Sequence, residues 1–237
     1  MAKKLLYRTI PHYLLEVLAK YFRVEVEGAE HLPKTGPVIL IPNHSGFIGL
    51  DALLLSHWIC KNHGRVPRIL LHKLWFEGGL LRRPAKELGF VEASYADGVS
   101  ALDKKKILML FPEGEQGNFK PTKDRYRLRN FRKGFVKMAV ETGAPIVPVL
   151  ILGAEESNIN LGQLKVFRQT IPLPLNYFPF PAKWKIKFLP PVQIPKLLAL
   201  EEDHQVEEYT SGIRAQMQTE LHNELSQRKY IYFDNMI

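Results

Sequence analysis

Short apolar runs, each followed by a turn, alternate with helical patterns along most of this chain. Three runs predict buried strands because they are continuously apolar and bounded by polar residues, glycine or proline: "PVILIP" at 37–42, "KILMLFPEG" at 106–114 and "APIVPVLILG" at 144–153. The stretch "RKGFVKMAVETG" at 132–143 has helical spacing and ends at a glycine. This alternation predicts the α/β class, with a mixed, largely parallel sheet flanked by helices.

Proline interrupts two apolar stretches in the second half of the chain. Because proline has no N–H to donate, Pro148 predicts that its strand lies at a sheet edge or contains a bulge. The stretch "IPLPLNYFPFPAK" at 171–183 predicts a surface excursion without regular structure. After it, alternating apolar and basic residues at 183–192 predict a half-buried strand, and 201–228 has a helical pattern.

The first 23 residues carry an apolar stripe among basic side chains. Leu14, Leu18 and Tyr21 recur at helical spacing. Two interpretations stay open, a helix that packs on the domain and an amphipathic helix that lies in a membrane interface. We therefore divide the chain into residues 1–23, an amphipathic membrane-associating segment, and residues 24–237, one α/β domain.

Composition narrows the class of protein. The chain has 237 residues, 46% of them hydrophobic, which suffices for one domain with a large core. Cys60 is the one cysteine, so no intramolecular disulfide forms. The net charge of +9 favours an anionic partner such as a membrane surface, a phosphorylated cofactor or nucleic acid. Apolar runs of about ten residues are shorter than the roughly 20 that span a bilayer, and we expect no signal peptide.

The loop after the first buried strand holds a histidine and a carboxylate. The sequence "PNHSGFIGLDALLL" at 42–55 places His44 and Asp51 seven positions apart, with Gly46 and Gly49 between them. A neutral imidazole takes a proton from an alcohol near pH 7 when a carboxylate holds its other ring nitrogen. Seven extended residues span roughly 23–25 Å, so the loop must fold back, which glycines permit. Alternatively, Asp51 only caps a helix and His44 is an ordinary loop residue.

Several blocks in a fixed order resemble the glycerolipid acyltransferase family, which includes the lysophosphatidic acid acyltransferases. The resemblance extends from about Val24 to Val192. The blocks are "NH" at 43–44, the downstream Asp51, "LFPEGE" at 110–115, "FRKG" at 131–134 and "TGAPIVPVLILG" at 142–153. The "FPEG" and "GAPIVPV" blocks are the most specific to that family.

The resemblance implies a reaction. His44 would deprotonate a hydroxyl of a glycerolipid acceptor, whose oxygen would attack the thioester of acyl-CoA or acyl carrier protein, while Asp51 would hold His44. The implied substrate-binding residues are Asn43, Glu113, Gly114, Gln116 and Pro148. Glu113 and Gly114 would line the acceptor site, and Pro148 belongs to the block on the acyl-donor side. Neither a metal nor a cofactor is expected, since the thioester is a co-substrate.

The chain departs from the family pattern at three places. Six residues separate His44 from Asp51, where the family usually has four. Two arginines that bind the acceptor's phosphate in the family are missing. Gln116 occupies the position of one of these arginines. Ala93, Ser94 and Tyr95 occupy the region in which the other is usually found. Glutamine has neither the positive charge nor the two parallel N–H donors with which a guanidinium binds phosphate. We therefore expect an acceptor other than glycerol phosphate: a neutral monoacyl- or diacylglycerol, or a lysophospholipid with a large head group.

A basic stretch close to the "FPEG" block offers replacement charges. Its cations are Lys120, Lys123, Arg125, Arg127, Arg129, Arg132 and Lys133. Any of them can supply the missing charge, although a solvated or membrane-facing loop also explains most of them.

The reaction predicts where the protein works. Acyl thioesters are cytosolic and glycerolipids lie in bilayers, so we expect a peripheral protein on the cytoplasmic face of an anionic membrane. Its partners would be a membrane glycerolipid and an acyl thioester, with no nucleic acid. Two other functions stay open: a catalytically inactive relative that binds lipid, and a nucleic-acid-binding protein that uses the basic and aromatic residues of "DRYRLRNFRK" at 124–133.

Overall fold

A computed structural model describes residues 10–44, 49–71, 89–118, 120–166, 169–195 and 203–232. Its nine strands are β1 (Glu25–Glu27), β2 (Val38–Pro42), β3 (Arg68–Leu71), β4 (Phe90–Glu92), β5 (Ile107–Met109), β6 (Ile146–Leu152), β7 (Asn160–Val166), β8 (Gln169–Pro174) and β9 (Lys185–Phe188), counted over the described residues. The helices are α1 (Ile10–Tyr21), α2 (Leu50–His63), α3 (Tyr95–Asp103), α4 (Glu115–Asn118), α5 (Gly134–Thr142), α6 (Ala154–Ser157) and α7 (Asp203–Gln227).

Seven strands form one sheet in the order β1-β9-β6-β2-β5-β3-β4. The five strands from β6 to β4 are mutually parallel, β9 is antiparallel to β6, and β1 is parallel to β9. The mixed, largely parallel sheet predicted from the sequence is therefore confirmed. We call the end of the sheet at which the five parallel strands finish the carboxyl rim, because ligands of such sheets bind there.

Strands β2, β5 and β6 are buried on both faces, which explains their continuous apolar sequences. On one face, Ile39, Leu108 and Leu150 pack with α3, α5 and α7. On the other, Leu40 and Val149 pack with α1 and α2. Alternate residues of these three strands thus enter opposite core layers, and the sheet lies between two layers of helices.

The sequence predicted an edge or a bulge at Pro148, and the edge is excluded because β6 lies between β9 and β2. A bulge accommodates the proline instead. Val149 pairs with Phe188, and Ile146 pairs with Val192. Between these two pairs β6 advances by three residues and the partner segment by four, so the partner segment contains one extra residue. The Pro148 carbonyl accepts the Leu189 N–H at 2.9 Å on this irregular side. The missing N–H of the proline therefore falls where the ladder is interrupted.

The proline-rich stretch that starts at residue 171 is partly regular, contrary to prediction. Its first four residues belong to β8, which pairs with β7 in a separate antiparallel ribbon of two strands. Both strands of such a ribbon are edges, so Pro172 and Pro174 remove no hydrogen bond that a third strand needs. The remainder, from Leu175 to Ala182, lacks helix and strand.

The amino-terminal segment contains the predicted helix, and its first nine residues, including Leu5 and Leu6, lie outside the described part. Helix α1 packs on α2 through the buried Leu15 and leaves Tyr13, Leu14 and Val17 exposed. The buried face shows that the helix packs on the domain, and contact of the exposed face with a membrane stays a prediction. Within the described ranges, none of the helices has the length and apolarity needed to cross a bilayer.

Candidate active site

His44 and Asp51 meet at the carboxyl rim. His44 follows β2, and Asp51 lies in the first turn of α2. The Nδ1 atom of His44 is 2.8 Å from Oδ2 of Asp51. The carboxylate is fully buried, whereas 15% of the imidazole side chain is exposed. With Nδ1 held by the carboxylate, Nε2 is the nitrogen that remains to accept a proton.

The helix start explains how the longer loop still forms this pair. Asp51 is not the N-cap, because α2 begins one residue earlier, after Gly49. Gly49 has φ of +75°, a conformation that favours glycine, while Gly46 lies outside the described residues. The Oδ1 atom of Asp51 accepts the Ala52 N–H at 2.8 Å, which leaves Oδ2 for the imidazole. The positive end of α2 also favours the ionised carboxylate.

The "FPEG" turn packs directly against His44. The Phe111 and His44 ring centroids are 4.2 Å apart. Gly117, in α4, lies so close that a Cβ there would be 2.5 Å from the Glu113 Cβ and 3.0 Å from the His44 Cβ. The sequence analysis missed Phe111 and Gly117. A glycine three residues after "PEG" was a weak signal for this close approach.

Glu113 connects three loops from a buried position. One oxygen, Oε1, accepts the backbone N–H of His44 at 2.9 Å, and Oε2 accepts that of Arg129 at 2.8 Å. The ammonium of Lys120 is 3.6 Å from Oε2. Because both oxygens accept backbone donors, Glu113 braces the loop of His44 and does not present a free carboxylate to a ligand.

Behind Glu113 lies a second buried carboxylate, Glu155. Lys120 is buried, unlike a residue of a solvated loop, and donates to Oε1 of Glu155 at 3.0 Å. Oε2 of Glu155 accepts the Tyr126 N–H at 2.9 Å. Burial raises the pKa of Glu155 to about 7, because desolvation outweighs the opposing effect of Lys120 and the N–H. Glu155 was not predicted as a site residue, since nothing local in the sequence indicates its distant partner.

Glu156 anchors a third set of contacts at the rim. The Tyr126 hydroxyl donates to Glu156 and accepts the Gly153 N–H at 2.7 Å. Arg228, just after α7, donates to Oε1 of Glu156 at 2.8 Å. Burial raises the pKa of the Tyr126 phenol well above its ordinary range. These bonds fix the end of α7 to the turn that follows β6.

The other predicted substrate-binding residues occupy different environments. Asn43 is fully buried, and its amide donates to the Ile151 carbonyl at 3.0 Å and accepts the Ile151 N–H at 2.7 Å. It therefore ties the end of β2 to β6. Pro148 pairs with Ile41, three residues before His44, which is about 10 Å along the strand. The structure thus does not bring Pro148 to the histidine.

Gly114 and Gln116 lie in the turn beside Glu113. Gly114 has φ of +58°, and the Arg132 guanidinium is 3.2 Å from the place a Cβ would occupy. The guanidinium has no ion pair among the described residues. Gln116 is exposed on α4. In the region where the family's other arginine is usually found, Ser94 caps α3 by accepting the Asp97 N–H, and Tyr95 donates to Glu141. Arg132 is therefore an exposed cation that lies against the turn.

Within the described ranges, the histidines and carboxylates lack the arrangement that a metal centre requires. In the described part of the chain, no three His, Cys, Asp or Glu side chains are arranged to hold a metal ion. His57, which follows the apolar start of α2, contacts Glu16 at 3.1 Å and His12 at 3.1 Å instead.

Known proteins resemble this chain in sequence and in fold. An uncharacterized protein of Mycobacterium leprae (strain TN) is 33% identical over an alignment of length 233, which covers 90% of this chain and 63% of that protein. The Gallus gallus "DGAT1/2-independent enzyme synthesizing storage lipids" is 24% identical over 183 residues, 75% of this chain and 54% of that protein. The chain thus spans less than two thirds of the length of these relatives.

The crystal structure of the 1-acyl-sn-glycerophosphate (LPA) acyltransferase PlsC from Thermotoga maritima has the same fold. It matches with a TM-score of 0.61 and 21% identity, over 93% of this chain and 83% of that one. The sequence model of the family described as Acyltransferase matches residues 23–152, more than half of the 237. The resemblance noted from the sequence is confirmed, and the chain belongs to the acyltransferase family.

Proposed function

We propose that this protein transfers an acyl chain from an acyl thioester to a hydroxyl of a glycerolipid at a membrane surface. The observation that carries the proposal is the 2.8 Å contact between Nδ1 of His44 and Oδ2 of Asp51, with the carboxylate buried and the ring partly exposed. Family membership supports the acyl transfer, and the acceptor, the donor and the membrane setting are our inference.

In the proposed step, Nε2 of His44 takes the proton of the acceptor hydroxyl as the oxygen attacks the thioester carbonyl. A tetrahedral intermediate forms, the C–S bond then breaks, and the imidazolium returns the proton to the departing thiolate. The products are an ester and a free thiol. Asp51 stabilises the imidazolium between the two proton transfers. The acceptor itself is the nucleophile, so no acyl-enzyme forms.

For the acceptor, we propose a neutral glyceride or a lysophospholipid with a large head group. Gln116 and the segment from Ala93 to Tyr95 offer no guanidinium where the family pattern has two. Ser94 and Tyr95 are, in addition, engaged in bonds within the fold. The Gallus gallus relative, whose name refers to storage lipids, supports a neutral acceptor.

A second candidate, a phosphorylated acceptor, is favoured by Arg132. Its guanidinium lies against Gly114, in the turn that also carries Glu113. A guanidinium binds phosphate through two parallel hydrogen bonds, so it suits such an acceptor.

The experiment is a panel of acceptors offered to purified protein with one labelled acyl-CoA, and in parallel with acyl carrier protein. The panel holds lysophosphatidic acid, lysophosphatidylcholine, monoacylglycerol and diacylglycerol, with products separated by mass. We expect ester formation with wild type and its loss in His44→Ala. Transfer that survives in His44→Ala would refute the proposed base. Ester formation with lysophosphatidic acid alone would refute the first acceptor class and support the second.

A further inference from the structure

A cluster of large apolar side chains is exposed outside the site described so far. We call it the apolar patch, and it comprises Leu161, Leu173, Leu175, Tyr177, Phe178 and Phe180. Tyr177 is 80% exposed and Phe178 is 71% exposed. Soluble proteins rarely expose so many large apolar groups in one region unless that region binds something.

Hydrogen bonds place this patch at the carboxyl rim. Ser157 ends α6, directly after β6, and its carbonyl accepts the Phe180 N–H at 2.7 Å and the Asn176 side-chain amide at 2.9 Å. The Leu175 N–H bonds to the Ile159 carbonyl at 2.8 Å. The patch is therefore fixed to the same end of the sheet from which His44 and Glu113 project.

The patch is also continuous with the amino-terminal helix. The Tyr21 hydroxyl, at the end of α1, donates to the Pro179 carbonyl at 2.9 Å. The Tyr21 and Phe178 rings have centroids 5.9 Å apart in an edge-on arrangement. Since α1 exposes Tyr13 and Leu14, two apolar surfaces meet at Tyr21.

Positive charge borders the patch. The Asn160 N–H, at the base of the β7–β8 ribbon, bonds to the Thr122 hydroxyl at 2.7 Å and so joins the ribbon to the basic loop. That loop exposes Lys123, Arg125 and Arg127. Exposed aromatic and aliphatic groups beside cations are the composition of surfaces that insert into an anionic membrane interface.

We propose that the apolar patch inserts into the interface of an anionic lipid bilayer, so that the carboxyl rim faces the membrane. The inference deepens the proposed function and rests on it, because a rim held against the bilayer receives a lipid acceptor without exposing that lipid to water. It adds a second membrane contact, far along the chain from α1, with the patch and α1 acting together.

The test is co-sedimentation with vesicles of phosphatidylcholine alone or mixed equally with phosphatidylglycerol. We expect wild type to bind the anionic vesicles, and the double variant Tyr177→Ser, Phe178→Ser to bind on the order of tenfold more weakly. The matched control is Val66→Ser, an exposed apolar residue in the loop before β3, which should bind like wild type. Circular dichroism and thermal melting verify that each variant is folded.

A second variant tests the charge without altering the apolar groups. The triple change Lys123→Gln, Arg125→Gln, Arg127→Gln should weaken binding to anionic vesicles and remove most of its salt dependence. Unchanged binding by both this variant and the double variant would overturn the proposal. So would sedimentation equilibrium in which wild type is a dimer and the double variant a monomer, because the patch would then cover a second copy of the chain.

Activity separates this inference from the proposed function. The double variant should lose transfer to an acceptor embedded in vesicles and keep transfer to a short-chain acceptor dissolved as monomers. Equal loss with both acceptors would overturn the docking role. Absence of transfer by wild type would refute the proposed function, while vesicle binding would still test the patch.

Discussion

The Oε1 atom of Glu113 accepts the backbone N–H of His44 at 2.9 Å, so a carboxylate from one loop holds the main chain of the proposed base. Its other oxygen accepts the Arg129 N–H, and Lys120 lies 3.6 Å away. The glutamate of the "PEG" sequence thus holds the main chain of the histidine in place. This places Glu113 among the residues that support the site, although it was expected to line the acceptor site.

We predict that Glu113→Gln lowers both stability and activity. Glutamine has one oxygen, so its NH₂ group must face either the His44 N–H or the Arg129 N–H, and Lys120 loses a counter-charge. Unfolding by denaturant should show a loss of roughly 1–3 kcal/mol, with a lower kcat. The control is Glu208→Gln, an exposed carboxylate on α7. If Glu113→Gln behaved like that control, the bracing role would be excluded.

Gly117→Ala tests how closely the turn must approach the histidine. The new methyl carbon would lie 2.5 Å from the Glu113 Cβ and 3.0 Å from the His44 Cβ, so at least one of these residues must move. We expect a loss of about 1–3 kcal/mol and a fall in kcat.

Gly212→Ala is the matched control for that change. Nothing lies within 4 Å of a Cβ at Gly212, which is in the interior of α7. Alanine there should stabilise the protein by about 0.5–1 kcal/mol. Thermal melting of the two variants should therefore shift in opposite directions, and equal shifts would contradict the packing described.

The pKa of Glu155, raised from 4.5 to about 7, predicts a pH dependence of stability. Between these values the folded protein binds more protons than the unfolded chain, so this residue makes stability fall as pH rises through the interval. Glu155→Gln removes that contribution. Urea unfolding at pH 5 and pH 8 should give a smaller decrease for the variant, with a difference of at most about 3 kcal/mol. Parallel profiles of stability against pH for wild type and variant would refute the contribution of Glu155.

Arg132→Met distinguishes the two acceptor classes. If Arg132 binds a phosphate, the variant loses on the order of tenfold or more in kcat/KM for lysophosphatidic acid and little for monoacylglycerol. If the acceptor is a neutral glyceride, one of the two classes in our first proposal, the variant retains its activity with monoacylglycerol, the better acceptor of wild type. Lys106→Met is the control, since Lys106 is an exposed cation just before β5, at the end of the sheet opposite the carboxyl rim.

The fold was predictable where burial dominates. The apolar runs that became β2, β5 and β6 are buried on both faces, and their positions follow from sequence alone. Pro148 predicted an edge or a bulge, and the sequence did not decide between them because a single proline carries no information about its neighbouring strands. The strand β8 was missed because the two-stranded ribbon tolerates prolines that a central strand would exclude.

The contact between His44 and Asp51 was predictable, whereas the contacts that support it were not. His44 and Asp51 lie close in sequence, so their spacing and the intervening glycines were visible. The contacts of Glu113, Lys120 and Glu155 join distant parts of the chain, and no local pattern encodes a buried ion pair between positions 35 residues apart. Such contacts depend on how the loops meet at the rim.

The central claim is that Asp51 holds His44 as a base, and Asp51→Asn tests it most directly. Asparagine keeps an oxygen for the Ala52 N–H but turns an NH₂ group toward Nδ1, which fixes the proton on Nε2 and leaves that atom unable to accept another. We predict that kcat for acyl transfer from labelled acyl-CoA falls on the order of 10²–10⁴-fold, with circular dichroism unchanged. A kcat equal to that of wild type would contradict the account.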